Sequence, residues 1–439
     1  MHFERSAPPS SRDAELLTNS WTSLNRTASA SYAARWSASL RGKCPGSLRR
    51  NGTRKITFAE LAALGVMGLT VPEKYGGASR DILGTMVVIE ELSRRSLAVA
   101  VPYIMAASYA GMNLVECATE DQKRELLARV ASGSLMFAYG WTEPNAGADL
   151  ASVTTRAKRV QDKVRINGTK RFCSGAAIAD YIYALVRTGP KDVRYKNLSL
   201  ILVPPTAVGI TITPIESLGM KGAATTDVTV VDVEVPFTNV IGAEAGLEQW
   251  LVDGDGLWAR CGEAGGRRHG SGHSRRRAED AWSYALERVQ FGKAISNYQS
   301  IQHKLAEMKT QLHAARLVLY HAAWLANQHQ RCGVETSMAK LFAPEVAKSV
   351  ALECQTIFGA YGYVKNFDSE RDVRGALLLP IIERSWAVQR NNIFKWSKLA
   401  AWHGAIDFET ERHDAGWIPA RRTARSCRAP HRSNHDGSR

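Results

Sequence analysis

Apolar residues recur every three to four positions through the first patterned part of this chain, every second position through the middle, and every three to four again after Ala278. The first spacing suits a helix with one buried face and the second a half-buried strand. The chain is thereby committed to a helical segment, a β segment and a second helical segment. Helical spacing runs through ITFAELAALGVMGL, halts at Val71-Pro72, turns at Gly76-Gly77 and resumes in DILGTMVVIEELSRRSLAVAVPYIMAASYAGMNLV and EDQKRELLARVASG. From about Phe137 alternation takes over in KVRINGTKRF, where Asn167-Gly168 predicts a turn between two short strands, and in YIYALVRT, LSLILVP, GITITP and VTVVDVEVP. In the last segment Ile301, Leu305, Met308, Leu312, Ala315, Leu319 and Ala322 step by four and three, the seam of a long bundle helix. The expected fold is α+β and multidomain: an N-terminal all-α domain over 58–136, a middle β-barrel or sandwich domain over 137–245, and a C-terminal four-helix bundle over 246–405.

The net charge of +15 raises the question of a polyanionic partner, and its location answers it. Residues 1–57, 254–277 and 414–439 carry excesses of +7, +4 and +4, which account for all of it. The patterned remainder is neutral overall and shows no basic face with interleaved aromatics, so nucleic-acid binding is not expected of it. The three basic stretches are poor in Ile, Val and Leu, and we expect poor packing there: an irregular N-terminal segment, an aberrant insert at 254–277 and a disordered tail from 406 onward. Gly and Arg crowd 254–277 and leave it no continuous apolar face, so no helix is expected in that stretch. Seven cysteines form no CxxC pair and no metal-ligand spacing, which argues for a reducing compartment and no metal site. No apolar run reaches the roughly 20 residues of a membrane span. A cytoplasmic protein is expected; the Arg/Ser bias of the first segment makes the mitochondrial matrix the alternative.

Several segments resemble the acyl-CoA dehydrogenases, flavoenzymes that oxidise acyl-CoA thioesters to 2-enoyl-CoA. The resemblance runs from about Phe58 to Trp402, except in the basic insert. It rests on LGVMGLTVPEKYGG, AYGWTEPNAGADL, INGTKRFCSGAAIAD, SLGMKGAATTDVTVVDVEVP, YALERVQFGKAISNYQSIQHKLAEM, FGAYGY and SERDVRGALLLPIIERSWAVQRN, in that order. It implies FAD as cofactor, an acyl-CoA substrate, an electron-transfer flavoprotein as electron acceptor, and a homodimer or homotetramer. A catalytically silent relative and a flavin-containing, DNA-associated relative are the alternatives.

The chemistry needs a carboxylate facing a flat cofactor across the substrate. By resemblance Glu383, in IERS, is the base, with Ser385 beside the cofactor. Tyr139, Trp141 and Thr142 are implied at the flavin ring's edge, with Gly147 and Ala148 by its phosphates, where small residues let backbone N–H groups approach an anion. Ala148 stands where the family usually has Ser. Phe172 and Ser174 match residues flanking the ring. Arg288, Phe291 and Gln299 match contacts to the diphosphate and adenosine end of a neighbouring subunit's flavin, and Gly359 matches the turn that completes that site.

Overall fold

A computed structural model describes residues 54–79, 81–95, 97–193, 196–248, 269–382 and 386–399. The basic segments at 1–53, 254–268 and 414–439 lie outside these residues.

The N-terminal layer comprises α1 (Arg54–Ala63), α2 (Ile82–Arg95), α3 (Leu97–Tyr103), α4 (Gly111–Cys117) and α5 (Glu120–Ala131). Pro102 lies inside α3, where it supplies no backbone donor, and the chain widens into a π-helical stretch over Ile104–Ala110 before α4. Helix α5 starts with a capping box. Thr119 Oγ1 accepts from Gln122 N at 3.3 Å and Gln122 Oε1 accepts from Thr119 N at 3.0 Å. The same Gln122 amide donates to the carbonyls of Thr238 and Val240 at 2.8 and 2.7 Å, so one cap also fastens the helical layer to the β domain.

The middle domain is a curled seven-stranded sheet of β1 (Phe137–Gly140), β2 (Arg156–Val160), β3 (Lys163–Lys170), β4 (Tyr181–Arg187), β5 (Leu198–Val203), β6 (Ile210–Pro214) and β7 (Thr226–Pro236). Its order is β1-β4-β2-β3-β7-β6, with β5 also paired to β4. Most neighbours are antiparallel, whereas β1 runs parallel to β4 with Tyr139 opposite Tyr183. Strand β4 is buried on both faces. Tyr183 and Leu185 join the core shared with the N-terminal helices, and Ile182, Ala184 and Val186 join the core on the other face of the sheet. Its near-continuous apolar run follows from that double burial.

The turn expected at Asn167-Gly168 is not there. Residues 163–170 form one strand with a bulge between Ile166 and Gly168. The Asn167 side chain accepts from Asp232 N and donates to Asp232 Oδ1, both at 2.9 Å, binding the bulge to β7. Gly168 has φ +154°, and a Cβ there would sit 2.6 Å from Thr155 Cα, so glycine serves a close approach and not a reversal.

The C-terminal layer holds α6 (His269–Glu287), α7 (Gln299–Asn327), α8 (Gly333–Phe358), α9 (Asp368–Ala376) and α10 (Trp386–Leu399). The seam read on α7 is buried from Leu305 to Ala322, with Ile301 half-buried at its start. The expectation of no helix at 254–277 fails from His269 onward. Two features reverse it. A Cβ at Gly272 would lie 1.9 Å from the Glu90 carbonyl oxygen, so glycine lets α6 press against α2. The arginines are compensated: Arg275 by Glu91 at 3.5 Å and Glu279 at 3.2 Å, Arg276 by Asp280 at 2.8 Å, and Arg277 by Asp280 at 3.0 Å and Asp372 at 2.6 Å. A buried Arg is costly only without such partners.

Candidate active site

Strand β1 delivers the first group of expected site residues and the end of β3 the second. Where β1 ends, the chain makes a tight turn through Pro144 and Asn145, closed by Glu143 N–H to the Ala146 carbonyl at 2.8 Å and Ala146 N–H to the Glu143 carbonyl at 3.2 Å. The Tyr139 ring stacks on Tyr183 at 5.3 Å and meets Trp141 at 5.0 Å, and both Tyr139 and Trp141 pack into the core beneath the turn. Burial pushes the Tyr139 hydroxyl well above its ordinary range, against the opposing pull of the Asn113 side chain. Thr142 is half-buried, and Gly147 and Ala148 are exposed beyond the turn. Among the described residues a Cβ at Gly147 would meet only the Thr142 methyl, at 4.0 Å, so none of them explains a small residue there.

Arg171 N–H donates to the Thr142 carbonyl at 2.8 Å and brings the residues after β3 against those after β1. Phe172 follows with φ +59°, and the residue is 56% exposed. A bulky residue in the left-handed region is strained by about 1–3 kcal/mol and persists only where its surroundings dictate it. Here they do. Cys173 and Thr226 exchange two backbone hydrogen bonds at 2.8 and 3.2 Å, and Ser174 Oγ lies 3.1 Å from Thr225 Oγ1.

Under this surface lies an ion pair that sequence reasoning missed. Lys170 Nζ donates to Glu143 Oε1 at 2.8 Å, with 1% and 3% of the two side chains exposed. Glu143 also accepts from Thr154 N at 2.6 Å, Thr154 Oγ1 at 2.7 Å and Thr155 N at 2.9 Å. Burial raises its carboxyl, but the Lys170 charge and the hydrogen bonds from Thr155 and Thr154 outweigh that and hold it at about 2. Burial in turn pulls the Lys170 ammonium down, opposed by the carboxylate. Three donors besides the lysine favour the ionised form of the carboxylate, which in turn favours the charged lysine. A signal existed: Lys170 falls on the same inward register as Val164 and Ile166, and a lysine facing a core requires a partner.

Arg288, Phe291, Gln299 and Gly359 gather on the helical layer. The segment after α6 forms a two-stranded hairpin, β8 (Val289–Gln290) and β9 (Lys293–Ala294). Phe291 and Gly292 at its tip have φ +51° and +79°, and Phe291 is 95% exposed. Arg288 lies over the Tyr361 ring at 5.6 Å, next to the turn that Gly359 opens with φ +62°. Gln299 is exposed at the first position of α7. A cavity of about 410 Å³ in this layer is lined by Arg277, Asp280, Tyr284, Cys354, Phe358 and Ser369 among others, none of them an expected site residue. Nearby, burial pushes the Asp372 carboxyl up to about 6 despite Arg277. Glu383 and Ser385 lie outside the described residues. Among those described, no group of three or more His, Cys, Asp or Glu could hold a metal, and no helix is long and apolar enough to cross a membrane.

Comparison with known proteins places three domain models along the chain. The acyl-CoA dehydrogenase N-terminal domain matches residues 29–134, the middle domain 138–233 and the C-terminal domain 269–398. An acyl-CoA dehydrogenase of Bacillus subtilis (strain 168) is 36% identical, over 76% of this chain and 86% of the relative. The caffeyl-CoA reductase-Etf complex subunit CarC of Acetobacterium woodii is 31% identical, over 75% of this chain and 86% of the relative. The butyryl-CoA dehydrogenase structure from Megasphaera elsdenii superposes with a TM-score of 0.74 at 27% identity, covering 89% of this chain and 99% of that one.

Proposed function

The chain belongs to the acyl-CoA dehydrogenase family, whose cofactor is FAD, and from that premise we propose that it removes hydrogen from adjacent carbons of an acyl-CoA thioester to give 2-enoyl-CoA. The observation that carries this reading is Phe172, an aromatic ring held exposed in a strained conformation beside the Ser174 hydroxyl and the Thr142 backbone. That combination suits the edge of a flat, polar ring system. Thr142, Phe172 and Ser174 would border the flavin ring, with the buried Tyr139 and Trp141 backing it, and Gly147 and Ala148 would approach the phosphates.

FAD, when bound, supplies a two-electron acceptor for the β-hydride, which no side chain can. The remaining work falls to the chain. Glu383 takes the α-proton onto its carboxylate, and its backbone N–H polarises the thioester carbonyl so that the proton becomes acidic enough to leave. Arg288, Phe291, Gln299 and Gly359 serve the diphosphate and adenosine end of a second subunit's flavin; the exposure of Phe291 and Gln299 supports this assignment. Electrons pass on to an electron-transfer flavoprotein, a reading supported by the Acetobacterium woodii relative, named as a subunit of an Etf complex. That relative is a reductase, which favours as a second reading the same site working in reverse, from enoyl-CoA to acyl-CoA.

Anaerobic titration of the purified protein with a panel of acyl-CoAs and enoyl-CoAs tests both directions. Bleaching of the flavin absorbance by an acyl-CoA supports the first; re-oxidation of reduced flavin by an enoyl-CoA supports the second. Glu383→Gln should slow bleaching at least ~100-fold while FAD stays bound. Undiminished bleaching would remove Glu383 from the role. A colourless protein would point to the silent relative, and salt-sensitive duplex binding to the DNA-associated one.

A further inference from the structure

We propose that the buried Glu143–Lys170 ion pair is the positioning element of the flavin seat, holding the Trp141–Thr142 and Arg171–Ser174 backbones in the shape that binds FAD; this rests on the flavin reading above. From its place in the turn after β1, the Glu143 carboxylate bonds two other chain segments: the entry to β2 at Thr154 and Thr155, and the end of β3 at Lys170. Lys170 Nζ also reaches the Trp141 carbonyl at 3.5 Å. Every expected ring-side residue from Trp141 to Ser174 lies within four positions of one partner or the other. Two glycines frame the pair. A Cβ at Gly140 would meet Ile182 Cγ2 at 2.8 Å and Lys170 Cγ at 3.5 Å, and one at Gly168 would collide with Thr155. The lysine stem is therefore confined, and its charge has Glu143 as its ionic partner. Neither residue needs to touch the cofactor. Each acts by keeping the other neutralised, so that the backbone above them stays fixed.

Charge balance gives this role a signature that packing alone lacks. In Glu143→Gln the lysine is a buried cation without a counter-charge, which disfavours the closed seat until it loses its proton. FAD affinity should then rise with pH. In Lys170→Met the carboxylate is the uncompensated charge, and affinity should fall with pH as it ionises. The double variant carries neither charge and should show neither slope.

The test reconstitutes FAD-free protein with FAD at pH values from about 5 to 9.5, following quenching of flavin fluorescence, with circular dichroism reporting the fold. Wild type should bind with little pH dependence across that range. The single variants should bind at least tenfold more weakly at their unfavourable ends, with opposite slopes, and Glu143→Gln/Lys170→Met should recover to within about threefold of wild type. Single variants that bind like wild type with a flat profile would overturn the proposal, as would weakened binding with no slope that the double variant fails to restore. If one single variant does not fold, the other and the double variant decide. Wild type that binds no FAD at all would instead overturn the flavin reading itself.

Discussion

Strand β3 carries two sets of ion pairs with the same chemistry on opposite faces. Outward, Arg165 and Lys163 meet Glu234 of β7 at 2.8 and 3.4 Å, with their side chains a third to a half exposed. Inward, Lys170 meets Glu143 at the same 2.8 Å, with almost nothing exposed. Distance does not separate them; solvent does. Water screens the outer charges and accepts either partner if the other is lost. The inner charges gain little net stability as a pair, because desolvation offsets their attraction, yet each becomes a liability when the other is gone. The outer pairs decorate the sheet, and the inner pair constrains it.

Breaking the inner pair by Lys170→Ala should produce the largest effect, a loss of about 3–5 kcal/mol in unfolding free energy by denaturant titration. A loss below 1 kcal/mol would erase the contrast between the faces. Acid should break it next. The Glu143 carboxyl is lowered in the folded chain from 4.5 to about 2, so its contribution is present above pH 4.5 and disappears as pH falls towards 2. Roughly 3 kcal/mol of unfolding free energy should go over that window, since holding a carboxyl ionised through each further pH step is worth about 1.4 kcal/mol. Glu143→Gln should lose correspondingly less. A smaller change sharpens the picture above the pair. Ala148→Ser restores a hydroxyl at an exposed position, where one further hydrogen bond to the cofactor should tighten FAD binding about fivefold, near 1 kcal/mol. Smallest of all, Arg165→Ala should leave the denaturation midpoint and FAD affinity unchanged within error.

Periodicity in the sequence is enough to order the layers and to place the α7 seam, because each depends on a face repeated over many residues. Single events were harder to read. Asn167-Gly168 has the composition of a turn, but the competing bond from Asn167 to Asp232 and the approach to Thr155 make it a bulge, and both partners are distant in sequence. Arg275, Arg276 and Arg277 look unfit for a packed helix until Glu91, Asp280 and Asp372 are seen beside them. The site divides in the same way. Trp141, Thr142, Phe172 and Ser174 sit in recognisable local strings, whereas the support from Lys170 to Glu143 exists only once the end of β3 lies against the chain that follows β1.

The parallel pairing of β1 with β4 has a consequence for how the chain comes to its shape. Met136 N–H is bonded to the Asp180 carboxylate at 2.7 Å across 44 residues of chain, and the β2–β3 hairpin lies inside that loop. A hairpin forms from near neighbours, but a parallel pair must close its loop before any contact rewards the lost entropy. The surface over Glu143 and Lys170 draws on both ends of that loop and is complete only when it shuts. On the flavin reading proposed above, a chain in which that loop is still open would offer the cofactor only part of its seat, so closure of the β1–β4 pair and completion of the seat become one event.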